Sequence, residues 1–346
     1  MKIFFGVQGT GNGHITRARA LAPKLKQAGI EVDYLFTGRA RDEFFEMDVF
    51  GDWQWRKGLT FQTGHGNVRY LHTAFKNNLV TFVRDVLALD LSGYDRVITD
   101  FEPVTSWAAR AQGVRTLGIG HQYAFGQDIP VANADVMGTW LLKNFAPASV
   151  GLGVHWHHFD AAIVPPIIET DAPLKPIQLN KIIVYLPFEE TQDIIRLLKP
   201  FNHYQFHVYS PHGAMETGSD TGHIQIKATS RKEFRDDFAD CSGVICNAGF
   251  ELPSECLHLG KRLLVKPLHG QMEQGSNALA LSVLQLGHVM HTLDKDVVGI
   301  WLDSGRAHKL QFPDVAQAIV DWLQKGDLTV DQEWVDAIWR CCRSDS

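Results

Sequence analysis

Residues 3–7 form a nearly unbroken apolar run. After a glycine-rich stretch at 9–13, Ile15, Ala18, Leu21, Ala22, Leu25 and Ala28 recur at helical spacing until Gly29. A short β-prone run followed by a 3.6-residue period predicts strand, loop and helix. The alternation continues with a strand at 31–36, a helical stretch near 71–90, a strand at 96–100, a helix at 103–112 and a strand at 115–119. Strands and helices alternating at this spacing predict parallel βαβ units in a doubly wound sheet.

Pro165, Pro166, Pro173 and Pro176 interrupt the pattern, because proline removes backbone donors and resists helix. Beyond them the alternation restarts: strands at 181–186, 204–209, 243–246 and 262–266, with helices at 189–198, 230–239, 252–259 and 275–285. No repeat of 20–50 residues is visible. The expectation is an α/β chain of two similar domains facing each other across a cleft, at 1–165 and 181–330, joined by a linker at 166–180. A last segment, 331–346, carries a helix with Trp334, Val335, Ile338 and Trp339 on one apolar face.

A length of 346 residues fits two domains, each able to bury a core. With 33 basic against 39 acidic side chains the net charge is −6, and no basic run offsets it, which argues against a nucleic-acid partner. The first residues enter a strand without a signal-peptide pattern. The charge-free stretches at 144–159 and 275–293 contain Pro, Asn, Gln, Gly or His and do not read as membrane spans. Five cysteines (Cys241, Cys246, Cys256, Cys341, Cys342) form no C-x-x-C pair, so reduced thiols and a cytoplasmic location are expected. Contact with a membrane surface stays open.

Three segments carry chemistry. Gly9-Thr10-Gly11-Asn12-Gly13-His14 follows a strand and opens a helix, where glycine allows close backbone approach and the helix start favours phosphate. A dinucleotide fingerprint would place its third glycine at His14 and an acid near Phe36-Thr37-Gly38, so NAD binding is not expected. In the second segment, Asp100 closes a strand and Glu102 opens the next helix, on the same rim as His14. A carboxylate bonded to one imidazole nitrogen would leave the other as a base. Glu102 has a competing reading, an acid favourably placed at a helix start. The third segment runs from Val244 to Ala278 as strand, glycine turn, helix, strand, polar loop and helix, so that two helix starts and a loop converge on one rim.

This third segment resembles the donor-binding signature of nucleotide-sugar glycosyltransferases with the two-Rossmann-domain B fold, such as the UDP-glycosyltransferases and the lipid-linked N-acetylglucosamine transferase of peptidoglycan synthesis. In that pattern a His or polar residue is followed at +2 by Gly, +8 by Glu, +13 by Gly and +20 by Pro; here these are Asn247, Gly249, Glu255, Gly260 and Pro267. An acid-Gln pair follows as Glu273-Gln274, about two residues late. The loop ending in His14 is similar to the one that carries the base in many members, and Asp100 falls where the His-orienting acid is often found. Asn247 replaces the commoner His, Glu251 stands where plant members have Asn, and Thr229 where their signature begins with Trp.

The resemblance implies an acceptor-side first domain, a nucleotide-sugar-binding second domain, and a last helix packing back on the first. It implies an inverting, metal-independent transfer of a sugar, with UDP the expected nucleotide and no cofactor. His14 would be the base, oriented by Asp100 or, failing that, Glu102. The diphosphate would be received by backbone around Gly11, Asn12, Gly13, Asn247, Ala248, Gly249 and Phe250, with Glu251 and His212 nearby. Glu255 would hold the ribose, and Glu273 with Gln274 the donor sugar. The acceptor, a saccharide or a lipid-linked group, stays open, as does the apolar stretch at 136–159 with Trp140, Leu141, Leu142, Phe145 and Trp156: core, acceptor pocket or membrane patch. His155-Trp156-His157-His158 reads as a histidine-rich turn rather than a metal site. A nucleotide-sugar 2-epimerase of the same fold and a non-catalytic nucleotide-sugar binder are the alternatives.

Overall fold

The computed structural model describes residues 1–59, 78–132, 136–170 (side chains of 136, 137 and 141 excepted), 175–211, 222–326 and 328–344, with the short strands Thr63–Gly64 and Asn67–Val68. The first sheet uses β1 (Lys2–Gln8), β2 (Glu31–Thr37), β3 (Gln54–Trp55), β4 (Arg96–Asp100), β5 (Thr116–Gly120), β6 (Val150–Val154) and β7 (Ile163–Val164). Its order is β3-β2-β1-β4-β5-β6-β7, with every pairing parallel. The second uses β8 (Gln178–Tyr185), β9 (Gln205–Ser210), β10 (Ile224–Ala228), β11 (Cys241–Asn247), β12 (Arg262–Lys266) and β13 (His288–Val289), also all parallel, in the order β10-β9-β8-β11-β12-β13. These are two Rossmann-like domains, as the alternating pattern predicted.

Helices cover both faces of the sheets, so central strands are buried on both sides and read as continuous apolar runs. Ile3, Phe4, Phe5 and Val7 of β1 have no exposed surface, nor do Ile182, Ile183 and Val184 of β8. In the first domain α1 (Asn12–Gln27), α2 (Leu79–Ala88), α3 (Pro103–Gln112) and α4 (Val136–Asn144) connect the strands. The helix expected near 71–90 is described only from Leu79; 71–77 lie outside the described residues. In the second, α5 (Thr191–Leu198), α6 (Arg231–Asp240), α7 (Glu251–Leu259) and α8 (Met272–Val283) do so, and α9 (Lys295–Ser304) follows the last strand. Strands β3, β6, β7, β10 and β13 were not anticipated. All but β6 and β10 are two residues long, too short for any periodicity, and Gly151 and Gly153 break the apolar run of β6.

Two further helices, α10 (Val315–Gln324) and α11 (Gln332–Trp339), return to the first domain. Lys24 of α1 pairs with Asp314 just ahead of α10 at 2.6 Å, and the Trp339 indole N–H of α11 donates to the Ile163 carbonyl at 2.7 Å. The return thus begins before residue 331. The proline-rich connection opens buried: Ile167 is fully covered and Ile168 nearly so, and both join a core that runs from Ile3 and Ile15 through Trp156 to Val244 and Val335. Among the described residues no helix is long and apolar enough to cross a membrane.

In each sheet the strand order reverses beside the first strand, between β1 and β4 and between β8 and β11. Ligands of open α/β sheets bind outside the carboxyl ends of strands at such a reversal. The loops after β1, β4, β8 and β11 therefore define where a site can form: His14 follows the first in α1, Asp100 and Asn247 close β4 and β11, and Phe188 lies in the third.

Candidate functional site

The loop after β1 delivers the chain into α1 with Gly11 as its N-cap residue, so no side chain caps the first helical N–H groups. His14 lies within that first turn. Its Nδ1 is 2.7 Å from Asp100 Oδ1, at the end of β4. With the Nδ1 proton donated to the carboxylate, Nε2 is left as the free nitrogen. Directly after Asp100 the chain turns sharply through Phe101, whose φ of +54° is a conformation a bulky residue adopts only under constraint. The Phe101 ring lies parallel to the His14 imidazole and packs on Phe145. Gly120 completes the seat, since a Cβ there would fall 2.8 Å from Asp100 Oδ1.

Arg17, three residues beyond His14 on the same helical face, is 2% exposed. Its Nε and Nη2 donate to the two Asp100 oxygens at 2.7 and 2.9 Å, and Nη1 donates across the cleft to Glu251 Oε1 in the second domain. Burial alone would push Asp100 up, but the charges of Arg17 and then His14 outweigh it and hold this carboxyl below its ordinary range. Burial also opposes the Arg17 charge, yet Asp100 and Glu251 keep the guanidinium protonated. Glu251 is the partner left short. Burial, joined by the charges of Asp100, Glu255 and Glu273, pushes its carboxyl up to about 8, and Arg17 offsets only part of that.

Glu102 does not take the orienting part that the sequence left open to it. It is fully buried, and its oxygens accept from the Val104 and Thr105 N–H groups at 2.8 and 2.7 Å and from the Thr37 hydroxyl at 2.9 Å. With Pro103 opening α3, the next two N–H groups need an acceptor, and Glu102 supplies it as the N-cap.

The second rim is built by β11 and α7. The Asn247 side chain donates its Nδ2 to the Lys266 carbonyl at 3.1 Å, while its Oδ1 is buried with no hydrogen-bond partner among the described residues. In this orientation Oδ1 keeps an unmet lone pair, and Nδ2 keeps one N–H beyond the one given to Lys266. The Ala248 and Gly249 N–H groups are also engaged, by the Lys266 and Asn247 carbonyls at 3.1 and 2.8 Å. The start of α7, from Phe250 onward, is what no side chain caps. It abuts the start of α1, and a Cβ on Gly13 would lie 3.1 Å from Glu251 Cγ. Glu255, one turn along α7, is half-buried and makes no hydrogen bond among the described residues. Burial pushes its carboxyl up to about 7, Glu169 adds to this, and Arg235 and Arg231 oppose it.

Two cavities meet at these helix starts. One, of about 410 Å³, is lined by His14, Arg17, Phe101, Gln122, Glu273 and their neighbours. The other, of about 290 Å³, is lined by Asn12, Tyr185, Tyr209, Phe234, Asn247 and Glu255 among others. Gly11, Gly13, Gly249, Phe250, Glu251 and Gln274 line both. Gln274 Oε1 accepts from the Leu268 N–H at 3.0 Å, leaving its NH₂ as the group to offer. Glu273 already accepts from Gln122 Nε2 of the first domain at 3.1 Å. The chain thus brings together the expected site residues except Glu102, which is turned to its helix, Ala248, which is buried beneath the cleft with both backbone groups bonded, and His212, which lies outside the described residues.

Residues that the pattern did not single out close the cleft. His121, directly after β5, is fully buried, stacks on Phe250 with centroids 4.0 Å apart, and bonds Asn277 Oδ1 through Nε2 at 2.7 Å. Burial holds its imidazole below the ordinary range. The Trp156 indole donates to Ser254 at 2.8 Å, again from one domain to the other. Arg17 and His121 each had a signal, one as the helical neighbour of His14 and the other as a strand-end residue on the same rim. In the histidine-rich turn, His155 accepts from the Trp156 N–H, His157 from Phe159 and His158 from Asp160, so the rings serve the turn. Among the described residues no three His, Cys, Asp or Glu side chains could hold a metal ion. The apolar stretch divides: Phe145 and Trp156 are core, Gly138 and Leu142 line the larger cavity, and Trp140 is 59% exposed.

A family model described as glycosyl transferase family 1 matches residues 1–304. MurG of Acinetobacter baumannii is similar at 18% identity and a TM-score of 0.55, over 94% of this chain and 99% of that one. The calicheamicin glycosyltransferase CalG4 (16%, 0.55, 98% and 97%) and SnogD from Streptomyces nogalater (13%, 0.55, 98% and 96%) share the fold. No curated protein matches.

A carboxyl raised in the fold keeps its proton while the unfolded chain has lost it, so Glu251 makes stability fall as pH rises from about 4.5 to about 8. Chemical denaturation of Glu251→Gln between pH 5 and 8 should show a flatter decline than the wild type, the difference being at most about 1.4 kcal/mol per pH unit. Parallel pH profiles would remove the proton from Glu251.

Proposed function

This chain belongs to glycosyl transferase family 1, and we propose that it transfers a sugar from a nucleotide sugar, UDP-linked, to an acceptor hydroxyl with inversion at the anomeric carbon, His14 serving as the base. The observation that carries this reading is the 2.7 Å bond from His14 Nδ1 to Asp100, which leaves Nε2 for the cavity that His14 lines. The acceptor hydroxyl gives its proton to Nε2 as its oxygen attacks the anomeric carbon. The bond from that carbon to the diphosphate breaks, and its electron pair leaves with the diphosphate. Asp100, kept ionised by Arg17, balances the imidazolium.

The leaving diphosphate gains charge between two helix starts that no side chain caps, α1 at Gly11 and α7 at Phe250. Their N–H groups and dipoles suit that charge without a divalent metal. Glu255 is the ribose ligand, a carboxylate able to accept from both hydroxyls of the diol. The Gln274 amide and Glu273 meet hydroxyls of the transferred sugar. Across the cleft, the Trp156 to Ser254 and His121 to Asn277 bonds hold the domains together over the reacting atoms and exclude water, the competing nucleophile. The acceptor is a saccharide or a lipid-linked group. Five unpaired thiols suit a reducing cytoplasm, where a lipid-linked acceptor would be met at the inner membrane face.

Calorimetry with UDP, dTDP and GDP in EDTA should show one diphosphate binding tightly; indifference to all three would sink the reading. His14→Ala should keep that affinity within a few-fold and slow transfer by about 10²–10⁴, with full turnover refuting the base. NMR of the product should show the inverted anomer, whereas a changed sugar formed from the donor alone would mean epimerisation. Replacing Glu255 by Ala should weaken nucleotide binding by about 1–3 kcal/mol; an unchanged isotherm would end its ribose role.

A further inference from the structure

Arg19 lies two turns along α1, on the face that also carries Asn12 and Thr16, and all three line the smaller cavity. Its side chain belongs to a residue that is only 6% exposed. Nη2 donates to the Phe45 and Glu46 carbonyls at 2.6 and 3.1 Å. Nε is buried with no partner, and Nη1 makes no hydrogen bond among the described residues. The other guanidinium groups on these walls, Arg231 and Arg235, are held by the Glu169 carboxylate. An unmet buried donor costs about 1–3 kcal/mol, and arginine has donors only, so the group that completes this wall is an acceptor.

The rest of the cavity says which acceptor. A nucleotide whose diphosphate meets the starts of α1 and α7, and whose ribose hydroxyls donate to Glu255, has one part left to place, its base. Phe45 of the first domain and Tyr209 and Phe234 of the second line the same cavity as Arg19, and their rings suit a planar heterocycle. Tyr209 is fixed by its hydroxyl, which donates to Asp237 at 2.7 Å, and Phe234 meets it edge-on with centroids 5.0 Å apart. The acceptor such a ring offers to an arginine is a keto oxygen. A base that turned an amino group to Arg19 would set donor against donor.

We propose that Arg19 reads a ring carbonyl of the nucleotide base, so that the first domain takes part in selecting the donor. This deepens the glycosyltransferase reading and rests on it. The reader sits at a contact between domains: Arg19 holds the Glu46 carbonyl, and the Glu46 carboxylate reaches Arg231 of the second domain at 3.3 Å. Recognition of the base therefore requires the two rims to be together.

The test is calorimetry on the full chain in EDTA. UDP is compared with 2-thio-UDP and with pyrimidin-2-one riboside 5′-diphosphate, which lacks the 4-keto oxygen; should dTDP or GDP be the ligand, its own thio and deoxo analogues take their place. Loss of one carbonyl should weaken binding to the wild type at least tenfold. Arg19→Met keeps the apolar stem and removes the donors, and in it the same loss should cost less than threefold. The ligand arm needs no variant, so a poorly folded Arg19→Met still leaves the wild-type comparison decisive. If neither carbonyl matters to the wild type, or if its loss costs the variant the same factor, Arg19 is only a prop for Phe45 and Glu46 and the proposal is overturned. Binding of ADP, whose base has no carbonyl, as tightly as UDP would also overturn it and leave the transferase reading standing. If no nucleoside diphosphate binds, both fall.

Discussion

A single buried guanidinium holds this site together. Arg17 is almost wholly buried, so its charge needs carboxyl partners, and it finds them in two different domains. Asp100 receives two of its N–H groups and Glu251 a third. Removing Asp100, the ionised partner, would leave an uncompensated charge in a low-dielectric interior, a defect that usually costs about 3–5 kcal/mol. The same ion therefore serves two ends. It keeps Asp100 ionised, so that His14 is held by its Nδ1 with Nε2 free, and it ties α1 to the first turn of α7.

That tie acts where both sheets reverse their strand order, and the reversals explain why the reactive groups converge although they are far apart in sequence. Around the ion pair the domains meet through aromatic stacking and hydrogen bonds: His121 and Trp156 on Phe250, the Trp156 indole on Ser254, and His121 on Asn277. Such contacts are matched in shape and carry buried hydrogen bonds, so they define one mutual setting of the two rims. The cleft between them combines uncapped helix starts, which favour anions, with the Glu251, Glu255 and Glu273 carboxyl groups, whose oxygens suit hydroxyls. A substrate that carries a diphosphate at one end and a donor-rich sugar near the other suits such a divided field.

Much of this was legible in the sequence because it depends on local periodicity and fixed spacing. Runs such as 3–7 and 243–246 are strands because both faces are covered, and the stretch after Gly11 is a helix because its apolar residues recur at helical spacing. The spacing from Asn247 to Pro267 marks a strand-turn-helix-strand unit whose loops share a rim. Glu102 shows the limit of that reasoning. An acid two residues after Asp100 reads equally as a catalytic partner or as a helix cap, and only the direction of its side chain, toward Val104, Thr105 and Thr37, decides. The orientation of Asn247 is the same kind of fact, set by the Lys266 carbonyl nineteen residues away.

By itself, then, the sequence determined the two Rossmann-like domains, the rims on which His14, Asp100 and Glu255 lie, and the family to which their spacing belongs, since each follows from hydrophobic burial and turn chemistry within short segments. The tertiary structure alone decided which carboxylate orients His14, that Arg17 joins the domains, and that Glu251 is the carboxyl whose burial Arg17 offsets only in part. Those properties arise from side chains as far apart as 17 and 251. Their charges and lone pairs interact through space over a few ångströms, a distance that sequence separation does not report.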